Sequence, residues 1–142
     1  MKQKLKLALV GAGERGQYCY APYAKMHGYE IEFVAVADPH KGRREKFVQD
    51  YHVPAEGVFE TAEQFFARPR MADAVLICTQ DSQHYAYACQ AIDLGYSILL
   101  EKPISPSARE CLDLQRRAEE KGTQIMVCHV MRYTKFYRKL KE

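Results

Sequence analysis

The sequence predicts an α/β fold: a doubly wound, mostly parallel sheet with helices on both faces. Three observations carry that prediction. Short apolar runs alternate with longer amphipathic segments, as successive βαβ units require. The apolar runs lack clean polar alternation, which marks strands covered by helices on both faces. A glycine-rich turn, GAGERG, stands directly behind the first run.

The predicted strands are Leu5 to Val10, Ile31 to Ala37, Ala74 to Cys78, Ser97 to Leu100 and Gln124 to Cys128, each rich in Val, Ile or Leu. The predicted helices are Glu14 to His27, Lys41 to Tyr51, Ala62 to Ala67, Ser82 to Leu94 and Ser105 to Lys121. Gly95 and Gly122 follow the last two, where a helix ends on a left-handed residue. SPSARE opens the longest helix with serine caps, a proline in the first turn and an early glutamate. Pro22 is discordant inside the first helix and is expected to break or kink it near Ala21. The loop HVPAEGVFE is expected to hide a short strand at its end.

Composition bounds the rest. A chain of 142 residues can bury a core without disulfides or metal, and 47% hydrophobic with 27% charged residues is ordinary for a globular domain. A formal charge of +3, from 21 basic and 18 acidic residues, is too mild and dispersed to indicate a nucleic-acid partner. Cys19, Cys78, Cys89, Cys111 and Cys128 are odd in number and include no CxxC pair, so reduced thiols in a cytoplasmic location are expected. LALV is too short for a signal-peptide core, and no apolar run suits a membrane span. The five histidines show no metal-ligand spacing, so no metal is expected. Neither a G-x-S-x-G nor a P-loop lysine motif is present.

Gly11, Gly13 and Gly16 fit G-x-G-x-x-G, which is weak alone and specific in context. It follows a predicted strand, opens a predicted helix, and precedes a second strand ending at Asp38, 22 positions beyond Gly16. Gly11 permits the turn, Gly13 lets a pyrophosphate approach the backbone, and Gly16 lets helix and strand pack closely. The amides of the loop, across Ala12, Glu14 and Arg15, would face the anion. Asp38 can accept both hydroxyls of the adenine ribose, which makes NAD the preferred cofactor with NADP possible. Arg43 and Arg44 read as solvated helix residues or as receivers of a 2′-phosphate.

In a doubly wound sheet, ligands sit beyond the carboxyl ends of the strands. TQDSQH follows the Ala74 to Cys78 strand and places Thr79, Gln80 and His84 there, with Asp81 or Ser82 as a helix cap. His84 would face the cofactor or pack in the first turn. EKPIS follows the Ser97 to Leu100 strand. Lys102 is the predicted catalytic residue: its ammonium can hydrogen-bond a substrate hydroxyl and stabilise the alkoxide that develops during hydride transfer. Glu101 would orient that lysine or bind a ribose. His129 and Arg132, past the last strand, would line the same crevice or serve packing and domain linkage.

With the glycine loop, Asp38, TQDSQH, EKP and HVMRY in this order, the chain resembles the amino-terminal half of the Gfo/Idh/MocA family, named for glucose-fructose oxidoreductase, inositol dehydrogenase and rhizopine catabolism. The resemblance spans essentially all 142 residues. It implies a Rossmann-type domain that binds NAD or NADP, with Lys102 at the family's active-site lysine and a cis proline at Pro103. The family's Thr-Pro-Asn turn reads Thr-Gln-Asp here. The implied activity is NAD(P)-dependent oxidoreduction of a sugar, cyclitol or related polyol. A glycosidase using NAD transiently and a non-catalytic dinucleotide sensor are the alternatives.

The resemblance implies a second α/β domain that supplies the substrate pocket, and that domain is expected to lie outside this chain. Residues 1–128 are therefore expected to form the dinucleotide domain, and residues 129–142 the crossover toward the second. The cofactor half alone is expected to bind but hardly to turn over. The whole protein is expected to be a homo-oligomer with a small-molecule substrate, and no nucleic-acid or membrane partner.

Overall fold

The computed structural model describes residues 3–142. Six strands form one sheet: β1 (Leu5–Val10), β2 (Ile31–Ala37), β3 (Val58–Phe59), β4 (Ala74–Ile77), β5 (Ser97–Leu100) and β6 (Ile125–Val127). Their order is β3-β2-β1-β4-β5-β6 and every pairing is parallel. The order reverses between β1 and β4, which opens a crevice above the carboxyl ends of those strands. β3 is the short strand expected at the end of HVPAEGVFE.

Helices cover both faces. α1 (Pro22–Met26) and α2 (Lys41–Tyr51) lie on one, over a core that includes Leu9, Phe33, Val36, Phe47 and Leu76. Phe33, Phe47 and Tyr51 pack ring to ring at centroid distances of 4.5 to 5.4 Å. α3 (Ala62–Phe66), α4 (His84–Asp93) and α5 (Ala108–Lys121) cover the other, over Val10, Phe65, Val75, Ile77, Ile98 and Leu100. Because both faces are covered, the strands carry apolar residues at nearly every position.

Four expectations about helices change. The helix behind the glycine loop starts as a π-helical turn, Arg15–Tyr20, closed by the Ala21 amide on the Gly16 carbonyl at 3.0 Å. Pro22 does not end the helical path; it sits at the first position of α1, where no amide is required. α5 begins at Ala108, not Ser105: Ser107 caps it by accepting the Glu110 amide, while the Ser105 hydroxyl accepts the Ser107 amide at 2.9 Å and bonds the Glu110 carboxylate. Pro106 therefore precedes the helix. A 3₁₀ turn, Asp81–Gln83, leads into α4 and is capped by Gln80, not by Asp81 or Ser82. The Gln80 amide donates to Gln83 Oε1 at 3.2 Å. Past β6 come a 3₁₀ turn, Val130–Tyr133, and α6 (Lys135–Lys141), neither with a buried residue.

Candidate functional site

Register alone brings the site together. Val10 pairs with both Ala37 and Ile77, Ile77 with Leu100, and Leu100 with Val127, so five strands end in one row. The ladder runs one residue further. Gly11 donates to Ala37, Cys78 to Val10, Glu101 to Ile77 and Cys128 to Leu100, all at 2.8 to 3.0 Å. Residues distant in sequence thus leave the sheet along one edge.

Gly11 and Gly16 make the turn and the close helix–strand approach that their spacing assigns. Gly11 has φ +95°, and a Cβ there would lie 2.5 Å from the Cys78 carbonyl oxygen. A Cβ on Gly16 would collide with the Gly11 carbonyl and the Leu9 side chain. At Gly13 the nearest atom to a Cβ would be Arg43 Nη1, 3.9 Å away. The space above Gly13 is open, a cradle that any side chain would fill. A cavity of about 280 Å³ opens beside it, lined by Ala12, Gly13, Gln17, His40 and Arg43 among others. Gln17 Nε2 is buried without an acceptor, and Thr79 Oγ1 is likewise buried without a partner. A buried donor left unpaired costs about 1–3 kcal/mol, so such groups are expected at a surface built for a ligand. The loop fits a dinucleotide.

Asp38 directly follows β2 and also holds the loop. Only 3% exposed, it accepts the Ala12 amide on Oδ2 at 2.7 Å and the His40 amide on Oδ1 at 2.8 Å. One of the amides expected to face an anion is thereby occupied. The carboxylate clamps the glycine loop to the entrance of α2. Arg44 is not a solvated helix residue: it is buried, donates to the Asp38 carbonyl at 2.6 Å, and pairs with Glu60 at 3.3 Å. Arg43 is exposed.

His84 is 0% exposed, with Nδ1 2.6 Å from the Pro103 carbonyl oxygen and Nε2 3.2 Å from that of Thr79. It packs in the first turn of α4 and does not face the crevice, because both ring nitrogens are held by backbone. It ties the loop after β4 to the loop after β5. The Lys102–Pro103 bond is cis.

Glu101 is buried, with 5% exposure, and does not hold the lysine ammonium. Its Oε2 accepts the Lys102 backbone amide at 3.0 Å, and its Oε1 accepts the Tyr20 hydroxyl at 2.5 Å. Arg15 Nε stands 3.7 Å from Oε1. Lys102 itself is exposed, and among the described residues it forms no ion pair. The Tyr20 phenol is pushed far up, by burial first and then by its contacts with Cys128 and Glu101, so it remains a donor at neutral pH. Burial, aided by Glu101, also pushes the Cys78 thiol up, which suppresses the nucleophilic thiolate.

Tyr20 was not foreseen from the sequence. An ideal α-helical turn would place it elsewhere, and only the π winding turns it toward Glu101. Glu14, Gln80, His129 and Arg132 are exposed. Arg132 lines a hollow formed with α6 residues Tyr137, Arg138 and Lys141, apart from the glycine loop. Among the described residues, no group of three or more His, Cys, Asp or Glu is arranged to hold a metal ion, and no helix is long and apolar enough to cross a membrane.

Comparison with known proteins agrees with this geometry. Inositol 2-dehydrogenase of Pseudomonas syringae pv. syringae is 31% identical over 139 residues, covering 96% of this chain and 40% of that protein. The NADP(+)-dependent scyllo-inositol 2-dehydrogenase IolW of Bacillus subtilis is 25% identical over 139 residues, covering 97% of this chain and 37% of its own. The chain thus spans about two fifths of these relatives' length. In fold it matches the WlbA dehydrogenase of Chromobacterium violaceum, crystallised with NADH and UDP-GlcNAcA, at a TM-score of 0.87 and 19% identity, over 99% of this chain and 39% of that one. The family model described as an oxidoreductase family with an NAD-binding Rossmann fold matches residues 5–129. The chain belongs to this Gfo/Idh/MocA oxidoreductase family and forms its NAD(P)-binding Rossmann domain.

Proposed function

We propose that the protein containing this chain is an NAD(P)-dependent oxidoreductase that acts on a CH–OH group of a sugar, cyclitol or related polyol. The observation that carries the reading is the shared edge of the sheet: the glycine loop and the Glu101–Lys102 turn leave β1 and β5, the two strands flanking β4, one residue past the same row. Relatives that are inositol dehydrogenases support the polyol class. A bound nicotinamide would supply the hydride acceptor or donor. This chain's residues would do the rest. Gly11, Gly13 and Gly16 shape the loop that receives the pyrophosphate, with the free amides of Glu14 and Arg15 as donors. Lys102 meets the substrate oxygen, holds its proton and stabilises developing negative charge. Glu101, Tyr20 and His84 hold the loops on which that lysine stands, and Thr79 and Gln80 border the same crevice. His129 and Arg132, exposed beyond β6, would meet the substrate once the rest of the protein is in place.

Residues 1–128 act as the dinucleotide domain and residues 129–142 as the passage to a substrate domain. A cytoplasmic homo-oligomer without nucleic-acid or membrane partners belongs to the same reading. It is supported by five unpaired cysteines, by the mild charge, and by exposed apolar side chains such as Leu112 on α5 and Met126 in β6.

Two measurements test the proposal. Titration of this chain with NADH should show saturable binding. The full-length protein given NAD and a panel of cyclitols and sugars should then accumulate reduced nicotinamide. Absence of binding would sink the reading, and product release without accumulated NADH would move it to the glycosidase alternative.

A further inference from the structure

We infer that the substrate of this site carries an anionic group, a carboxylate or a phosphate, received by Arg132, Arg138 and Lys141 beyond β6. The inference rests on the oxidoreductase reading above and narrows its substrate class to acid-bearing sugars, cyclitols or polyols. A dinucleotide straddles the point where strand order reverses, so β4, β5 and β6 carry one half of the crevice. The ends of these strands are level: Ile77 pairs with Leu100, and Leu100 with Val127. The turn that bears Lys102 and the turn that bears His129 and Arg132 therefore leave adjacent strands on one edge. A substrate whose oxygen meets Lys102 has the second turn beside it.

Charge at this edge is one-sided. Glu101 is buried and both its oxygens accept hydrogen bonds, from the Tyr20 hydroxyl and the Lys102 amide, so it is not free to meet a ligand. Asp81 is exposed, but it follows β4 and lies across β5 from Arg132. Lys102, His129 and Arg132 are all exposed. A hollow of about 540 Å³ past β6 is lined by Met131, Arg132, Tyr137, Arg138 and Lys141, three cations and no carboxylate. Among the described residues none of these three has a carboxylate within ion-pair distance, whereas Lys139 is taken by Glu142, and Arg116 and Arg117 of α5 by Asp113 and Glu120. Like charges gathered around one hollow repel, and a resident anion removes that cost. The helix dipole accounts for Arg138 and Lys141, in the last turn of α6, but not for Arg132, which the preceding 3₁₀ turn brings to the same hollow. Guanidinium groups free of a carboxylate suit an acid group, which each can grip through two parallel hydrogen bonds.

The experiment gives the full-length protein NAD or NADP with matched sets of substrates: glucose, galactose and myo-inositol, each beside its phosphate ester and, for the hexoses, its uronic acid. Reduced nicotinamide is the readout. In at least one set an acidic member should exceed its neutral parent in kcat/KM by about tenfold or more. The uronic acid and phosphate arms tell a carboxylate from a phosphate. Arg132→Gln with Arg138→Gln should erase that advantage through KM, by about tenfold, with kcat within about twofold. Both side chains are exposed, so the fold should hold. A neutral parent that matches or outruns its acids in every set, or an advantage that survives the double substitution, overturns the inference while the oxidoreductase reading stands. If no member is oxidised, that reading fails and the hollow is judged alone. Glucuronate or inorganic phosphate added to this chain should then shift the NMR signals of the Met131 to Lys141 amides, saturating with Kd below about 10 mM. Chloride should not reproduce the shift, and the double substitution should abolish it. Without a saturable shift the inference falls as well.

Discussion

The Tyr20 hydroxyl donates to Glu101 Oε1 at 2.5 Å, joining the helix behind the glycine loop to the turn that carries Lys102. Tyr20→Phe should remove one donor from a buried carboxylate and keep the ring's packing. The expected cost is about 1–3 kcal/mol of stability. Urea denaturation of the two proteins checks it, and coincident unfolding curves would show that the bond contributes nothing.

The space above Gly13 separates binding from stability. Gly13→Leu should fill the cradle without clashing with the protein, because the nearest atom is a flexible guanidinium tip. Dinucleotide affinity should fall at least about tenfold, or ~1.4 kcal/mol, with little change in thermal midpoint. Retained NADH binding in the variant would contradict a pyrophosphate over this residue.

His84 makes the opposite prediction. His84→Ala should leave a cavity and a part-buried carbonyl without its donor, at a cost of about 2–4 kcal/mol. Where the variant remains folded, NADH affinity should stay within roughly threefold of the original. A selective loss of affinity with unchanged stability would return His84 to the cofactor face.

Lys102 should matter only to chemistry. In the full-length protein, Lys102→Met should lower turnover by at least about 100-fold, the low end of what a positioned proton donor contributes. NADH binding by this chain should change little, because the side chain is exposed and bonds no other part of the fold. Unchanged turnover would remove the lysine from the mechanism.

Alkaline pH probes the tyrosines. Tyr85 is pushed up to about 12 by its hydrogen bond to Asp113 and then by burial, and Tyr87 to about 12 by burial and then Glu63. Their folded pKa values exceed the unfolded value, so the folded state keeps protons that the unfolded chain releases above about pH 10. Stability from these groups is complete below that pH and falls as pH rises toward about 12. Denaturant midpoints measured across this range should decline, and Tyr87→Phe should flatten the decline.

Much of this was legible in the sequence because it is local. The strands β1, β2 and β5 and the helix α2 have the expected bounds, since periodicity and composition decide them residue by residue. The site's framework was legible for a related reason. A parallel sheet with covered faces forces residues after each apolar run onto one edge, so Gly11, Asp38, Thr79 and Glu101 could be grouped before any geometry was known.

What the tertiary structure alone decided is the direction each side chain faces and the partner that claims it. Arg43 and Arg44 are adjacent and alike, but one step of about 100° around a helix buries the second and exposes the first. Asp38 follows β2 at the sheet edge, and folding brings two backbone amides, of Ala12 and His40, to its oxygens. His84 was turned inward by the first turn of α4, and Tyr20 was turned to Glu101 by a π-helical turn that no propensity signals. Sequence determined which residues share the edge, because register follows from chain order and hydrophobic pattern. Hydrogen-bond competition among groups far apart in the chain determined which of them remain open to a ligand.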